Sequence, residues 1–283
     1  MYRAKSDGRG SLRFFEPKID ADMRARRNLE ADLRLALERS QFELAYQPQV
    51  DAAGSFVCGA EALLRWRHPQ RGIVSPLDFI ELAEDTRLIV PIGRWVLEQA
   101  CRDAMAWPST IRVAVNLSAV QFRHGSLLRD VLGALQLSGL PARRLELEIT
   151  ESVNLADAQQ ALSTLREVRS LGVQVALDDF GTGYSSVSYL RDFPFDRIKI
   201  DRSFVRDVDT SSTTQAIIRA VVDLSHSLGM KTTVEGIETS QQLQIVQQLG
   251  CSEVQGYLVG RPCAAAEIID IIRKLSLTAA DEP

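Results

Sequence analysis

Val173-Gln174-Val175-Ala176-Leu177 runs directly into Asp178-Asp179-Phe180-Gly181-Thr182-Gly183-Tyr184-Ser185-Ser186. The apolar run has strand length and reads as a buried strand. Two adjacent carboxylates at its end repel each other, and burial raises a pKa sooner than it tolerates both charges. A divalent cation relieves that repulsion, and hard oxygen ligands suit magnesium or manganese. The two glycines permit a tight turn and the close approach of a ligand. An acidic turn that caps itself accounts for Asp-Asp alone, but the longer signature is far more specific.

Outward from this stretch, short apolar runs alternate with amphipathic segments. On the N-terminal side, Arg24 to Ser40 carries Leu29, Leu33, Ala36 and Leu37 at helical spacing. Phe42 to Val50 and Phe56 to Trp66 read as two strands joined by the turn Asp51-Ala52-Ala53-Gly54, which predicts one antiparallel pair. Helices are then predicted at Pro76–Glu84, Pro91–Ala106, Leu127–Leu137 and Ala158–Leu171, with strands at Ile111–Asn116 and Leu145–Ile149. Beyond the central strand come Phe195–Ile200, Met230–Val234 and Ser252–Tyr257 as strands, and Thr214–Leu228, Ser240–Leu249 and Ala264–Leu275 as helices. Repeated strand–helix units imply parallel strands, and about eight of them close into a barrel. The expected fold is therefore α/β, a TIM-type (β/α)8 barrel with one antiparallel strand near the start. An open doubly wound sheet is the competing fold, but no Gly-x-Gly-x-x-Gly opens a helix after the first strand.

Composition narrows the function classes. The chain has 283 residues and a formal net charge of -4, so no overall basic field points to duplex DNA. No basic groove with an aromatic ladder is visible, which argues against a general nuclease. Leu88 to Trp95 is the best candidate for a membrane segment, but it contains Pro91 and Arg94. With no secretory signal recognisable, a cytoplasmic location is expected. Cys58, Cys101, Cys251 and Cys263 are widely spaced, and His68, His124 and His226 form no metal-binding pattern.

Polar residues recur at or near the ends of successive apolar runs: Glu61, Asn116, Glu148, Asp178 with Asp179, Lys199, Glu235 and Gln255. Singly, each has an ordinary explanation as a cap or a solvated strand end. In a barrel, however, the strand ends converge on one mouth, where catalytic residues come from several strands. Burying that many carboxylates without cations costs several kcal/mol per group, and two bound divalent metals are the simplest remedy.

Glu61-Ala62-Leu63, Asn116-Leu117-Ser118, Glu148-Ile149-Thr150-Glu151, the Asp178 stretch, Ile198-Lys199-Ile200-Asp201, Glu235-Gly236-Ile237-Glu238 and Gln255-Gly256-Tyr257 resemble, in order, the motifs of the EAL family. The resemblance runs from about Leu29 to Leu275. Its departures, Val187 and Val234, stand where that family often has leucine and alanine. The family hydrolyses the bacterial second messenger cyclic di-GMP to linear 5′-pGpG. The resemblance implies two Mg2+ or Mn2+ ions, with Glu61, Asn116, Glu148 and Asp178 on one, and Asp178 bridging to a second completed by Asp179 and Glu235. It implies catalytic roles for Lys199, Gln255 and Glu151, the last as a brace for the 180–186 loop. Gln47, Leu64, Arg65, Glu238 and Tyr257 would contact the substrate. A non-catalytic cyclic di-GMP receptor is the alternative, although none of the metal ligands is missing.

Met1-Tyr2-Arg3-Ala4-Lys5-Ser6-Asp7-Gly8-Arg9 resembles the end of a GGDEF (diguanylate cyclase) domain. This divides the chain into an upstream remnant and linker over 1–25, a barrel over 26–277 and a tail over 278–283. The implied partners are an upstream GGDEF or sensor domain and a second copy meeting through the 180–186 region. The Arg24–Ser40 helix would act as the lever between the two domains.

Overall fold

The computed structural model describes residues 17–150, 158–181 and 187–278. A first helix, α1 (Pro17–Ala36), leads into β1 (Phe42–Asp51) and β2 (Val57–His68), and a short β3 (Gly72–Val74) folds back on β2. Helices α2 (Pro76–Asp85) and α3 (Ile89–Ala104) carry the chain to β4 (Arg112–Leu117). Next come α4 (Ala119–His124), α5 (Leu127–Ser138), β5 (Leu145–Thr150), α6 (Ala158–Ser170) and β6 (Gln174–Phe180). The last third holds α7 (Val187–Asp192), β7 (Arg197–Ile200), α8 (Arg202–Val205), α9 (Ser212–Ser227), β8 (Lys231–Val234), α10 (Ser240–Gln248), β9 (Glu253–Gln255) and α11 (Ala265–Thr278). No helix among the described residues is long and apolar enough to cross a membrane.

The strands lie in the order β1-β9-β8-β7-β6-β5-β4-β2, and β1 pairs back onto β2, so the sheet closes into a barrel with β3 outside it. From β2 through β9 the barrel strands are parallel, while β1 is antiparallel to both of its neighbours, β2 and β9. A single reversed strand in a closed ring must be antiparallel on both sides, so the predicted hairpin becomes two antiparallel edges.

Local chemistry sets where the helices begin and end. Ser118 caps α4 by accepting from the Val120 N–H, while the Gln121 side chain accepts from the Ser118 N–H at 3.0 Å. Thr239 and Gln242 form the same reciprocal cap at α10. Helix α1 starts earlier than the predicted Arg24 and stops at Ala36. Ser40 takes a left-handed φ of 51°, and the Gln41 N–H returns to the Ala36 carbonyl at 3.0 Å, which closes the turn. Helix α3 begins at Ile89 and takes Pro91 into its first turn, where a missing N–H costs no helical bond.

The apolar core lies between the outside of the barrel and the helices. Val113, Val115, Leu147, Val175, Ile198 and Val254 meet Leu97, Val131, Leu165, Val168, Ile218 and Val246, all of them buried. Each such side chain contributes roughly 1.5–3 kcal/mol. The inside of the barrel is different. Bulky branched residues usually fill it, yet here Gln49, Glu61, Arg112, Glu146, Glu148, Arg197, Lys199, Glu253 and Gln255 are buried. Strand alternation turns Ala114 and Ala176 inward as well; both are fully buried but stand outside the apolar cluster. Their small side chains leave volume for the charged ones.

Candidate active site

Lys199 on β7 is 1% exposed and is ringed by carboxylates from β2, β5 and β6 and from Glu235, the residue that follows β8. Its Nζ lies 2.7 Å from Glu235 Oε1, 2.9 Å from Glu148 Oε2, 3.1 Å from Asp178 Oδ1 and 3.6 Å from Glu61 Oε2. Asn116 and Gln255 complete the ring: Asn116 Nδ2 and Gln255 Nε2 each donate to a different oxygen of Glu61 at 2.6 Å. The convergence expected from strand ends is thus realised for Glu61, Asn116, Glu148, Asp178, Lys199, Glu235 and Gln255.

Asp179 reaches the site by a local device. Adjacent residues of a regular strand point to opposite faces, and Asp179 follows the inward Asp178. The β6–β7 register shifts between Leu177 and Phe180, and Asp179 takes a left-handed φ of 54°. This is a bulge of the kind that re-aims a side chain beside a functional site. Asp178, Asp179 and Glu235 consequently offer carboxylate oxygens that all lie within 4.8 Å of one another. The Asp179 N–H also donates to Asp178 Oδ1 at 2.9 Å.

The electrostatics show a deficit of positive charge. Burial pushes Glu61 up, but Lys199, Gln255 and Asn116 outweigh it and hold the carboxyl below its ordinary value. Burial lifts Glu148 well above the carboxylate range, with Glu61 and Asp178 adding to the effect against Lys199. Glu235 is pushed up to about 8 by burial, again with Asp178 and Glu61 contributing and Lys199 opposing. Asp179 is raised by burial and by Asp178. Burial opposes the charge on Lys199, but Asp178, Glu148, Glu235 and Glu61 together hold its pKa well above that of a free lysine. One ammonium therefore cannot keep this many carboxylates ionised. Glu148 Oε1 is also buried with no hydrogen-bond partner among the described residues. An orphaned carboxylate oxygen beside three carboxylates within ligand reach fits a hard divalent cation.

Of the other expected contact residues, Gln47 is bonded to this cluster and the rest make contacts of their own. Gln47 on β1 is half-buried, accepts from Gln255 Nε2 at 3.2 Å and donates to the Gly260 carbonyl at 3.2 Å. Arg65 donates to the Leu64 carbonyl at 3.0 Å, and the Leu64 side chain is half-buried against the apolar core. Glu238 is exposed, and its backbone N–H is capped by Gln242 Oε1. Tyr257 is 50% exposed, with the Arg261 guanidinium 4.1 Å above its ring. Glu151 and residues 182–186 lie outside the described residues, so the proposed brace and most of the 180–186 loop do too.

Beneath the cluster lies a second charged layer that the sequence reading missed. Arg112 and Arg197 clasp Glu146 at 3.2 and 2.9 Å, and both also pair with Glu253. Three of its four members lie two residues before a mouth residue on the same strand, Glu146 below Glu148, Arg197 below Lys199 and Glu253 below Gln255, while Arg112 lies four before Asn116. That i, i+2 spacing of charged and polar residues within short buried strands was the available signal.

Residues 30–262 match the EAL domain family. MucR of Pseudomonas aeruginosa, named a bifunctional diguanylate cyclase/cyclic di-GMP phosphodiesterase, is 44% identical over 273 residues. The match covers 95% of this chain and 40% of MucR. An uncharacterized protein of Sinorhizobium fredii, y4lL, is 50% identical over 282 residues, covering 100% of this chain and 34% of that protein. This chain thus spans well under half the length of these relatives. Among solved structures, the PaMucR phosphodiesterase in complex with c-di-GMP aligns with a TM-score of 0.81 at 45% identity, covering 85% of this chain and 99% of that one. Motif order, closed barrel and sequence identity agree: the chain belongs to the EAL domain family.

Proposed function

We propose that this chain hydrolyses cyclic di-GMP to linear 5′-pGpG with the help of two divalent cations, Mg2+ or Mn2+. The observation that carries this reading is the Lys199 cluster. Its carboxylates outnumber the one lysine, and a buried oxygen of Glu148 has no partner among the described residues. Relatives named cyclic di-GMP phosphodiesterases, MucR and NbdA among them, support the choice of substrate, as does the c-di-GMP complex of PaMucR.

Glu61, Asn116, Glu148 and Asp178 would hold one cation, and Asp178, Asp179 and Glu235 the other. A bound pair of this kind supplies an acidified water and stabilises the entering and leaving oxygens of an in-line displacement. The protein residues do the rest. Lys199 holds Glu148, Asp178 and Glu235 in one geometry and offers positive charge to the phosphorane as it develops. Asn116 and Gln255 fix both oxygens of Glu61. Arg65 is suited to a phosphate oxygen, while Gln47, Leu64, Glu238 and Tyr257 line the approach. In the cell we place the domain in the cytoplasm, downstream of a GGDEF or sensor domain and paired with a second copy through the 180–186 region.

The test is a turnover assay on purified protein. Hydrolysis is expected with Mg2+ or Mn2+, loss of hydrolysis in EDTA, and recovery on adding the cation back. Equal turnover in EDTA would refute the metal assignment.

A further inference from the structure

We infer that Gln49 is a positioning residue: with Arg112 it sets which end of the Gln255 amide faces Glu61. This rests on the functional reading above, in which Glu61 is a metal ligand.

Gln49 on β1 is fully buried and stands in register with Gln255 on β9. A hydrogen-bonded chain runs through it from the lower charged layer to the mouth. Arg112 Nη2 donates to Gln49 Oε1 at 2.7 Å, Gln49 Nε2 donates to Gln255 Oε1 at 2.9 Å, and Gln255 Nε2 donates to Glu61 Oε2 at 2.6 Å. A guanidinium only donates and a carboxylate only accepts. With such ends, the two amides between them have one polarity that satisfies every group. Arg112 cannot leave its place, because Glu146 and Glu253 hold its other nitrogens. Gly59 keeps the passage open: a Cβ there would lie 2.6 Å from Arg112 Cγ and 3.0 Å from Gln49 Oε1.

The consequence reaches the reacting centre. A Gln255 turned end for end would point its carbonyl oxygen at Glu61 Oε2, two acceptors at hydrogen-bond distance. Glu61 would lose a donor and swing from the place where Lys199 and Asn116 hold it. Gln47, anchored by its own donation to the Gly260 carbonyl, also accepts from the Gln255 NH2, but without Gln49 the Gln255 carbonyl oxygen has no donor to hold it on the far side from Glu61.

Gln49→Glu tests this directly. The new carboxylate still accepts from Arg112 but cannot donate to Gln255, so it competes with Glu61 for the Gln255 NH2 and the wild-type orientation loses its advantage. We expect kcat to fall about 10–100-fold, the range for groups that orient metal ligands, with KM within about threefold of wild type. Gln49→Met keeps the length and imposes no polarity, so its kcat should lie between the two. A second readout needs no activity. In metal-free, 15N-glutamine-labelled protein, the Gln255 side-chain amide signal, identified by its loss in Gln255→Leu, should move in Gln49→Glu. An unmoved signal, or Gln49→Glu turning over at the wild-type rate, overturns the inference. A wild-type chain that fails to hydrolyse the dinucleotide would instead overturn the functional reading, and the amide signal alone would then decide the relay.

Discussion

Lys199 Nζ lies 2.9 Å from Glu148 Oε2, while Oε1 of the same buried carboxylate has no hydrogen-bond partner among the described residues. Half of Glu148 is thus committed to holding the lysine, and half is directed at something the described residues do not supply. The same division applies to the cluster as a whole, where one ammonium orders carboxylates that it cannot neutralise.

Replacing that ammonium should therefore damage the transition state more than binding. Lys199→Ala is expected to lower kcat on the order of 100-fold or more, the usual cost of losing one aimed electrostatic group, with KM little changed. Steady-state kinetics will decide it. A defect confined to KM would assign Lys199 to substrate positioning instead.

Asp178 is proposed to bridge both cations, and Asp178→Asn keeps its shape while removing its charge. Turnover should disappear, while the melting temperature should stay near wild type because a like-charge repulsion has been removed. A variant with wild-type turnover would sink the two-cation assignment.

Much of this was legible in the sequence because period and spacing report on faces. The alternation of apolar runs with 3.6-period segments marked the barrel, and polar residues at or near successive strand ends marked the mouth. The missed elements are short ones. Helices α4, α7 and α8 and strand β3 have too few residues to show a period, and α4 and α8 depend on caps from Ser118 and Asp201. The lower charged layer escaped because Arg112, Glu146, Arg197 and Glu253 are spread over much of the chain and meet only when the ring closes. The bulge that re-aims Asp179 was equally hidden, since an Asp-Asp pair does not disclose its backbone angles.

That lower layer predicts the acid stability of the fold. Burial pushes Glu146 up, but Arg112 and Arg197 more than reverse this and hold its carboxyl at about 2. A depressed carboxylate stabilises the native state fully above its unfolded pKa near 4.5 and loses that contribution as pH falls toward 2, here about 3 kcal/mol. Glu146→Gln leaves two buried arginines short of a partner and should cost about 3–5 kcal/mol at neutral pH. Urea titrations at pH 7 and pH 3 should show a smaller loss between them in the variant than in wild type. Parallel losses would remove Glu146 from the acid transition.

Gly181 closes the strand that carries both aspartates, with φ at 96°, and a Cβ there would lie 2.5 Å from Phe204 Cε2. Gly181→Ala combines backbone strain with that clash and should displace Asp178 and Asp179. Activity should drop about tenfold or more, by analogy with other changes that shift metal ligands. Adding Phe204→Ala removes the clash and should recover part of the rate. No recovery at all would place the whole cost in the backbone angle.

The most direct test of the central claim is chromatographic identification of the product when the wild-type chain meets cyclic di-GMP and Mn2+. Accumulation of linear 5′-pGpG, abolished in Asp178→Asn, is the predicted result. Cyclic di-GMP bound by the protein yet recovered intact after prolonged incubation would contradict it and make the chain a receptor.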